Sequence, residues 1–123
     1  MTDDPIFHLA IPDDWVAAFR TGEYRMSTRG MTLDEAGFIH CSTRDQMVDT
    51  ANRFYGDLDQ LVVLTIDPRL VPSRIVLEAP APGVDAMFPH IYGPLPIAAV
   101  NQATAWVRTG PMWTQDEVPQ DTV

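Results

Sequence analysis

Lysine is missing from this sequence. All eight basic residues are arginines, which excludes chemistry built on a lysine Schiff base or a Walker-type phosphate loop. Cysteine is nearly missing as well. Cys41 is the only one, so no intramolecular disulfide can form, as expected of a chain made for a reducing cytoplasm. No apolar run approaches the ~18 residues of a membrane span. Basic charge is scarce: seventeen acidic residues against eight basic ones leave a formal charge of −9 and a pI near 4.4. Such a surface has no surplus of cations to displace phosphate counterions, so neither DNA nor RNA is expected as a partner. An anionic membrane is disfavoured on the same ground. The opening stretch MTDDPIFHLA is acidic where a secretory signal is basic, and a cytoplasmic location is the expectation.

The chain has 123 residues, 46% of them apolar, enough for one globular domain. That domain is expected over residues 1–110. Residues 111–123 read as an acidic tail, frayed at its end. Ile6 to Ala10 predicts a first strand. Pro12-Asp13-Asp14 opens a helix, with Trp15, Ala18 and Phe19 on one face and Gly22 as its stop. Glu23 to Arg29 reads as a short polar strand, Thr32 to Gly37 as a turn, and Gly37 to Ser42 as a strand. Thr43-Arg44-Asp45-Gln46 has the capping-box pattern of a second helix, which carries Met47, Ala51, Phe54 and Tyr55 and ends at Gly56. The continuous apolar run Leu61 to Ile66 predicts a strand buried on both faces. Arg74 to Glu78 and Ile97 to Val107 read as further strands. The proline-rich segment between them, residues 79–96, reads as an ordered loop. Two main helices and several short strands make the expected fold class α+β.

The three histidines each sit between apolar neighbours: Phe7-His8-Leu9, Ile39-His40-Cys41 and Pro89-His90-Ile91. Strand alternation puts His8 on the face of Ile6 and Ala10, His40 on that of Phe38 and Ser42, and His90 on that of Phe88 and Tyr92. Three half-buried, hydrogen-bonded imidazoles are the plain reading. A shared cleft, with His8, His40 and His90 available for substrate hydrogen bonds or proton transfer, is the functional one. Zinc is a competing use of three histidines, but no local ligand spacing supports it, and no metal is expected. Cys41 reads as buried and inert, because the adjacent His40 points to the opposite face. Ser42 shares the His40 face or helps cap the helix. Arg53 and Tyr55 are candidates to supply a guanidinium and a ring to the cleft, Tyr92 is a further contact, and Glu78 offers a carboxylate. The stiff segment from Phe88 to Leu95 reads as a platform that leaves His90 free to face a ligand.

Taken in order, Ile6-Phe7-His8, Gly37 to Ser42, Ala51 to Tyr55, Leu61 to Asp67 and Phe88 to Gly93 resemble the small bacterial family known as domain of unknown function 952. That resemblance implies a likeness to the ADP-ribosyltransferase fold, a split antiparallel sheet around a central cleft that holds NAD. Phe7-His8-Leu9 and Ile39-His40-Cys41-Ser42 are similar to two histidine motifs of its RNA 2′-phosphotransferase branch. By position, His8 would contact the NAD ribose and His40 would lie by the nicotinamide, with Ser42 beside its ribose. Only seven residues precede His8, where that branch carries a further domain, and only Glu78 could stand for a ribose-activating glutamate. The resemblance implies an enzyme, transferase or hydrolase, that uses NAD or a related nucleotide as substrate. The alternative is a non-catalytic protein that holds a nucleotide or metabolite in the same cleft.

Overall fold

The computed structural model describes residues 4–115 and Val118. Its strands are β1 (Ile6–Ala10), β2 (Glu23–Tyr24), β3 (Met26–Thr28), β4 (Met31–Thr32), β5 (Ile39–His40), β6 (Gln60–Ile66), β7 (Ile75–Glu78), β8 (Phe88–Ile91), β9 (Leu95–Pro96) and β10 (Val100–Val107). Three short helices are set among them: α1 (Pro12–Ala18), α2 (Leu33–Ala36) and α3 (Met47–Phe54).

The apolar run of β6 organises the rest. It pairs antiparallel with β1 on one side and β10 on the other. Its side chains alternate between two cores. Leu61 and Val63 pack with Phe7, Leu9, Met47, Tyr55 and Trp106, whereas Leu64 and Ile66 pack with Ala10, Tyr24, Ile39, Ile91 and Leu95. Both faces of β6 are thus dry, as its unbroken hydrophobicity predicts. A second antiparallel sheet, in the order β5–β8–β7, lies against the core on its Ile39, Ile75 and Ile91 side. The two sheets touch through one bridge, where Phe7 and Ser42 exchange backbone hydrogen bonds of 2.8 and 2.7 Å. Two-stranded pairs β2–β9 and β3–β4 complete a mixed helix-and-sheet, α+β fold.

Several sequence expectations are corrected. The proline-rich segment is not all loop: residues 88–91 form β8, the middle strand of the second sheet. Pro89 lacks an N–H, but its carbonyl accepts from the Cys41 N–H at 2.9 Å, so the ladder tolerates it. Residues 32–37 hold a helix rather than a turn. Thr32 and Glu35 form a capping box at its start, and Gly37 closes it in the left-handed region at φ +90°. The polar stretch from Glu23 splits into β2 and β3, which take different partners. α1 ends at Ala18, short of Gly22, and leaves Phe19 exposed. The capping box at Thr43 is present. It opens a 3-10 turn over Arg44–Gln46 that leads into α3.

The acidic C-terminal segment starts against the core. Trp113 is 1% exposed, and Val118 is buried with it. The end expected to fray lies outside the described residues. Among the described residues, no helix is long and apolar enough to cross a membrane.

Candidate functional site

Cross-strand pairing brings the histidines together. His40 in β5 stands opposite His90 in β8, so their side chains rise from the same face of the second sheet. His8 approaches from β1, which the Phe7–Ser42 bridge holds beside that sheet.

His8 is 2% exposed, and both of its ring nitrogens are engaged. Nδ1 lies 2.6 Å from the His40 carbonyl oxygen, an acceptor only, so Nδ1 carries the proton and donates. Nε2 then accepts from the Tyr24 hydroxyl at 2.8 Å. Burial pushes the His8 pKa down to about 4, with the His40 carbonyl opposing, and the ring is neutral at pH 7.

His40 is half-buried beside the rings of Phe88 and Phe54, at centroid distances of 5.0 and 6.4 Å. Its Nδ1 is 3.3 Å from His90 Nε2. Its Nε2 is buried and has no hydrogen-bond partner, an arrangement native proteins rarely leave without a purpose. Burial, then the two other imidazoles, hold its pKa near 4.

His90 is 1% exposed because Phe38 lies flat upon it, 4.0 Å between ring centres and 11° from parallel. It is not the free loop imidazole expected from the sequence. Its Nδ1 lies 3.3 Å from Glu78 Oε2, within ion-pair range but not aligned for a hydrogen bond, so this nitrogen too is buried without a hydrogen-bond partner. Burial lowers the His90 pKa, while Glu78 opposes that effect. Glu78 ends β7 opposite Phe88. The Tyr92 hydroxyl donates to Glu78 Oε2, with Oε1 2.8 Å away. That hydrogen bond, aided by His90 and by Arg74 nearby, holds the Glu78 pKa below the usual carboxylate range and raises that of Tyr92. The Arg74 guanidinium lies over the Tyr92 ring at 5.0 Å.

Four of the candidates therefore form one chain of contacts: Tyr92, Glu78, His90 and His40. His8 adjoins it through the backbone of His40. Ser42 is buried, with its hydroxyl 3.4 Å from that of Thr50. Arg53 stands exposed on α3, outside the chain of contacts. Tyr24, which fixes the His8 ring, had no local signal in the sequence. Phe38 had one, since it shares the strand phase of His40 two residues on.

His8, His40, Ser42, Thr50, Thr28 and Tyr55 border a void of about 10 Å³. That is space for a single water, not the several hundred Å³ of a cofactor site. His8 and His40 border this void together, and His90 does not line it. A wider groove of about 730 Å³, lined by Pro5, Ile6, Arg44, Ile75, Leu77 and Pro89 among others, touches none of the candidate residues. Among the described residues, no group of three or more histidine, cysteine or acidic side chains is placed to hold a metal ion. Cys41 is buried, and burial pushes its thiol pKa well up, which leaves a nucleophilic role no thiolate to work with.

Residues 9–103 match the family model described as "Protein of unknown function (DUF952)". The chain belongs to the DUF952 family. Its crystallographic neighbour, protein CC0527 from Caulobacter crescentus, is 28% identical, with a TM-score of 0.72 over 94% of this chain and 93% of that one. The solution NMR structure of CC0527 gives 30% identity and a TM-score of 0.68 over 94% and 91% of the two chains. No curated protein matches the chain. His40 and His90 fall inside the DUF952 match, Phe7 and His8 lie just before it, and β1 enters it at Leu9.

Proposed function

We propose that this DUF952 protein is a small cytoplasmic enzyme that binds a nucleotide-class ligand, NAD foremost, on the aromatic side of His40, and that His40 exchanges a proton with it. The observation that carries the reading is the buried His40 Nε2, which has no partner of its own and stands among the rings of Phe54 and Phe88. Phe54 is 45% exposed, so its ring is available to a planar ligand. Exposed Arg53 and Arg74 offer guanidinium groups to phosphate oxygens. NAD is preferred over other nucleotides because of the resemblance of the His8 and His40 segments to the RNA 2′-phosphotransferase branch of the ADP-ribosyltransferase fold. In this reading the first histidine does not touch the ribose. His8 spends both nitrogens inside the protein and positions the His40 backbone instead. The −9 charge argues against RNA as the acceptor.

The second reading, a non-catalytic binding protein, is favoured by the weakly basic His40. One experiment separates the two. NAD, ADP-ribose and AMP are each added to the purified protein while the melting temperature is followed, and NAD is then assayed for turnover. NAD is expected to raise the melting temperature and to be consumed, and His40→Gln to weaken binding by about tenfold through loss of one hydrogen bond. Stabilisation without turnover selects the binding protein. No stabilisation by any of the three ligands overturns both readings.

A further inference from the structure

We infer that Glu78, His90 and His40 form a directional proton relay, in which Glu78 sets the tautomer of both imidazoles and makes the buried His40 Nε2 the nitrogen that keeps its lone pair. The inference deepens the reading given above and rests on it for the substrate, though not for the order of the protons.

The order follows from donor and acceptor rules alone. Glu78 is held ionised by the Tyr92 hydroxyl, so its oxygens only accept. A neutral imidazole has one N–H and one lone pair. Of the two His90 tautomers, Nδ1–H sets a positive N–H dipole 3.3 Å from Glu78 Oε2, though out of line for a hydrogen bond, whereas Nε2–H sets a lone pair against the carboxylate. The carboxylate selects Nδ1–H. His90 Nε2 is then bare, and 3.3 Å away is His40 Nδ1. Two lone pairs do not face each other at that distance, so His40 is also the Nδ1–H tautomer. Its bare nitrogen is Nε2, the atom left without a partner.

Phe38 makes the arrangement durable. Stacked at 4.0 Å on His90, it excludes water from that ring and resists the flip that would exchange the two nitrogens.

The relay also accounts for how a weakly basic ring could take a proton. When an N–H bond forms at His40 Nε2, the positive charge appears on a ring that burial and two neighbouring imidazoles disfavour. Breaking His40 Nδ1–H and forming His90 Nε2–H moves that charge one ring inward. His90 becomes an imidazolium whose Nδ1 lies 3.3 Å from the Glu78 carboxylate, so the charge rests in an ion pair. His40 ends neutral as the Nε2–H tautomer. Reversal delivers the proton to a leaving group, and no other reactant is consumed. His40 is the group that meets the ligand. His90 and Glu78 are positioning residues.

The test reads ring nitrogens directly. Long-range nitrogen–proton NMR spectra of the full chain at neutral pH, with no ligand added, are expected to show His8, His40 and His90 all protonated at Nδ1. Glu78→Gln keeps the shape but changes the chemistry. The Tyr92 hydroxyl donates to the new amide oxygen and leaves the NH2 group facing His90 Nδ1, which must become the acceptor. His90 is then expected to switch to Nε2–H and His40 with it, while His8 stays as it was. A wild-type spectrum with His40 or His90 protonated at Nε2 overturns the relay, and needs no variant to fold. Unchanged tautomers in a folded Glu78→Gln protein overturn the role of Glu78. Because no nucleotide enters the experiment, failure to bind NAD leaves this result standing, and the reverse holds too.

Discussion

Acidification from pH 6.5 to 4 is expected to remove several kcal/mol of folding stability, before most of the paired carboxylates begin to protonate. The cause is the buried histidines. An unfolded histidine titrates near 6.5, whereas folded His8 titrates near 4. Below 6.5 the unfolded chain binds the proton more readily than the native one, so stability present above that pH drains away as the pH falls toward 4. At about 1.4 kcal/mol per pKa unit, His8 alone accounts for roughly 3 kcal/mol. His40 has the same sign and a similar pKa but is only half-buried, so solvent screening makes its share smaller. His90 adds in the same direction. Depressed carboxylates act in a lower window. Asp57, for instance, sits near 2 against an ordinary 3.8 because of its hydrogen bond from Arg29. Urea unfolding at pH 7, 5.5 and 4 measures the slope directly. A flat profile between 6.5 and 4 would mean that the three rings are hydrated and not buried.

Replacing Trp113 by alanine is expected to cost about 3–5 kcal/mol, the usual loss for emptying a buried tryptophan site. The ring packs on Trp106 with centroids 4.7 Å apart, and its Nε1–H donates to the Tyr55 carbonyl at 2.9 Å. Asn52 holds the backbone of Trp113 from both sides, accepting its N–H at 2.8 Å and donating to its carbonyl at 3.0 Å. Removing the indole therefore opens a cavity and strands a buried carbonyl at the end of α3, next to Phe54 and the His40 face. Met112→Ala, one residue earlier and exposed, is the control and should stay within about 0.5 kcal/mol of wild type. Urea midpoints for the two variants decide the matter. A loss under about 1 kcal/mol for Trp113→Ala would mean that the segment after Thr109 is a loose appendage.

What could be read in the residues alone was local. The run from Leu61 to Ile66 declared a doubly buried strand, because nothing in it is suited to water. The capping box at Thr43 declared the approach to α3. Strand phase was enough to group His40 with Phe38, and His90 with Tyr92. What could not be read was long-range pairing. Five prolines between residues 79 and 96 hid β8, since a chain short of N–H groups looks unfit for the middle of a sheet until Cys41 is seen to take up the Pro89 carbonyl. Thr32 and Glu35 stand at capping-box spacing, but the helix they open is only four residues long, so the segment reads as a turn. Burial of His90 depends on Phe38, fifty-two positions away in sequence, and the engagement of His8 depends on Tyr24. Neither contact leaves a mark on spacing. Trp113 looked like an isolated ring in an acidic tail because its partners, Asn52, Tyr55 and Trp106, come from two other elements.

Cys41 gives the molecule a built-in clock. It is the only thiol in the chain, wholly enclosed, and it sits in the segment that ties both sheets together, one residue before the Ser42 bridge. A thiol reagent can reach it only when the seam between the sheets parts. The labelling rate therefore counts those openings and not the reactivity of the sulfur, and it should level off as reagent is increased. A ligand seated on the adjacent His40 should slow the clock, whatever the ligand proves to be. A rate that instead kept rising with reagent would mean the seam recloses faster than the sulfur reacts.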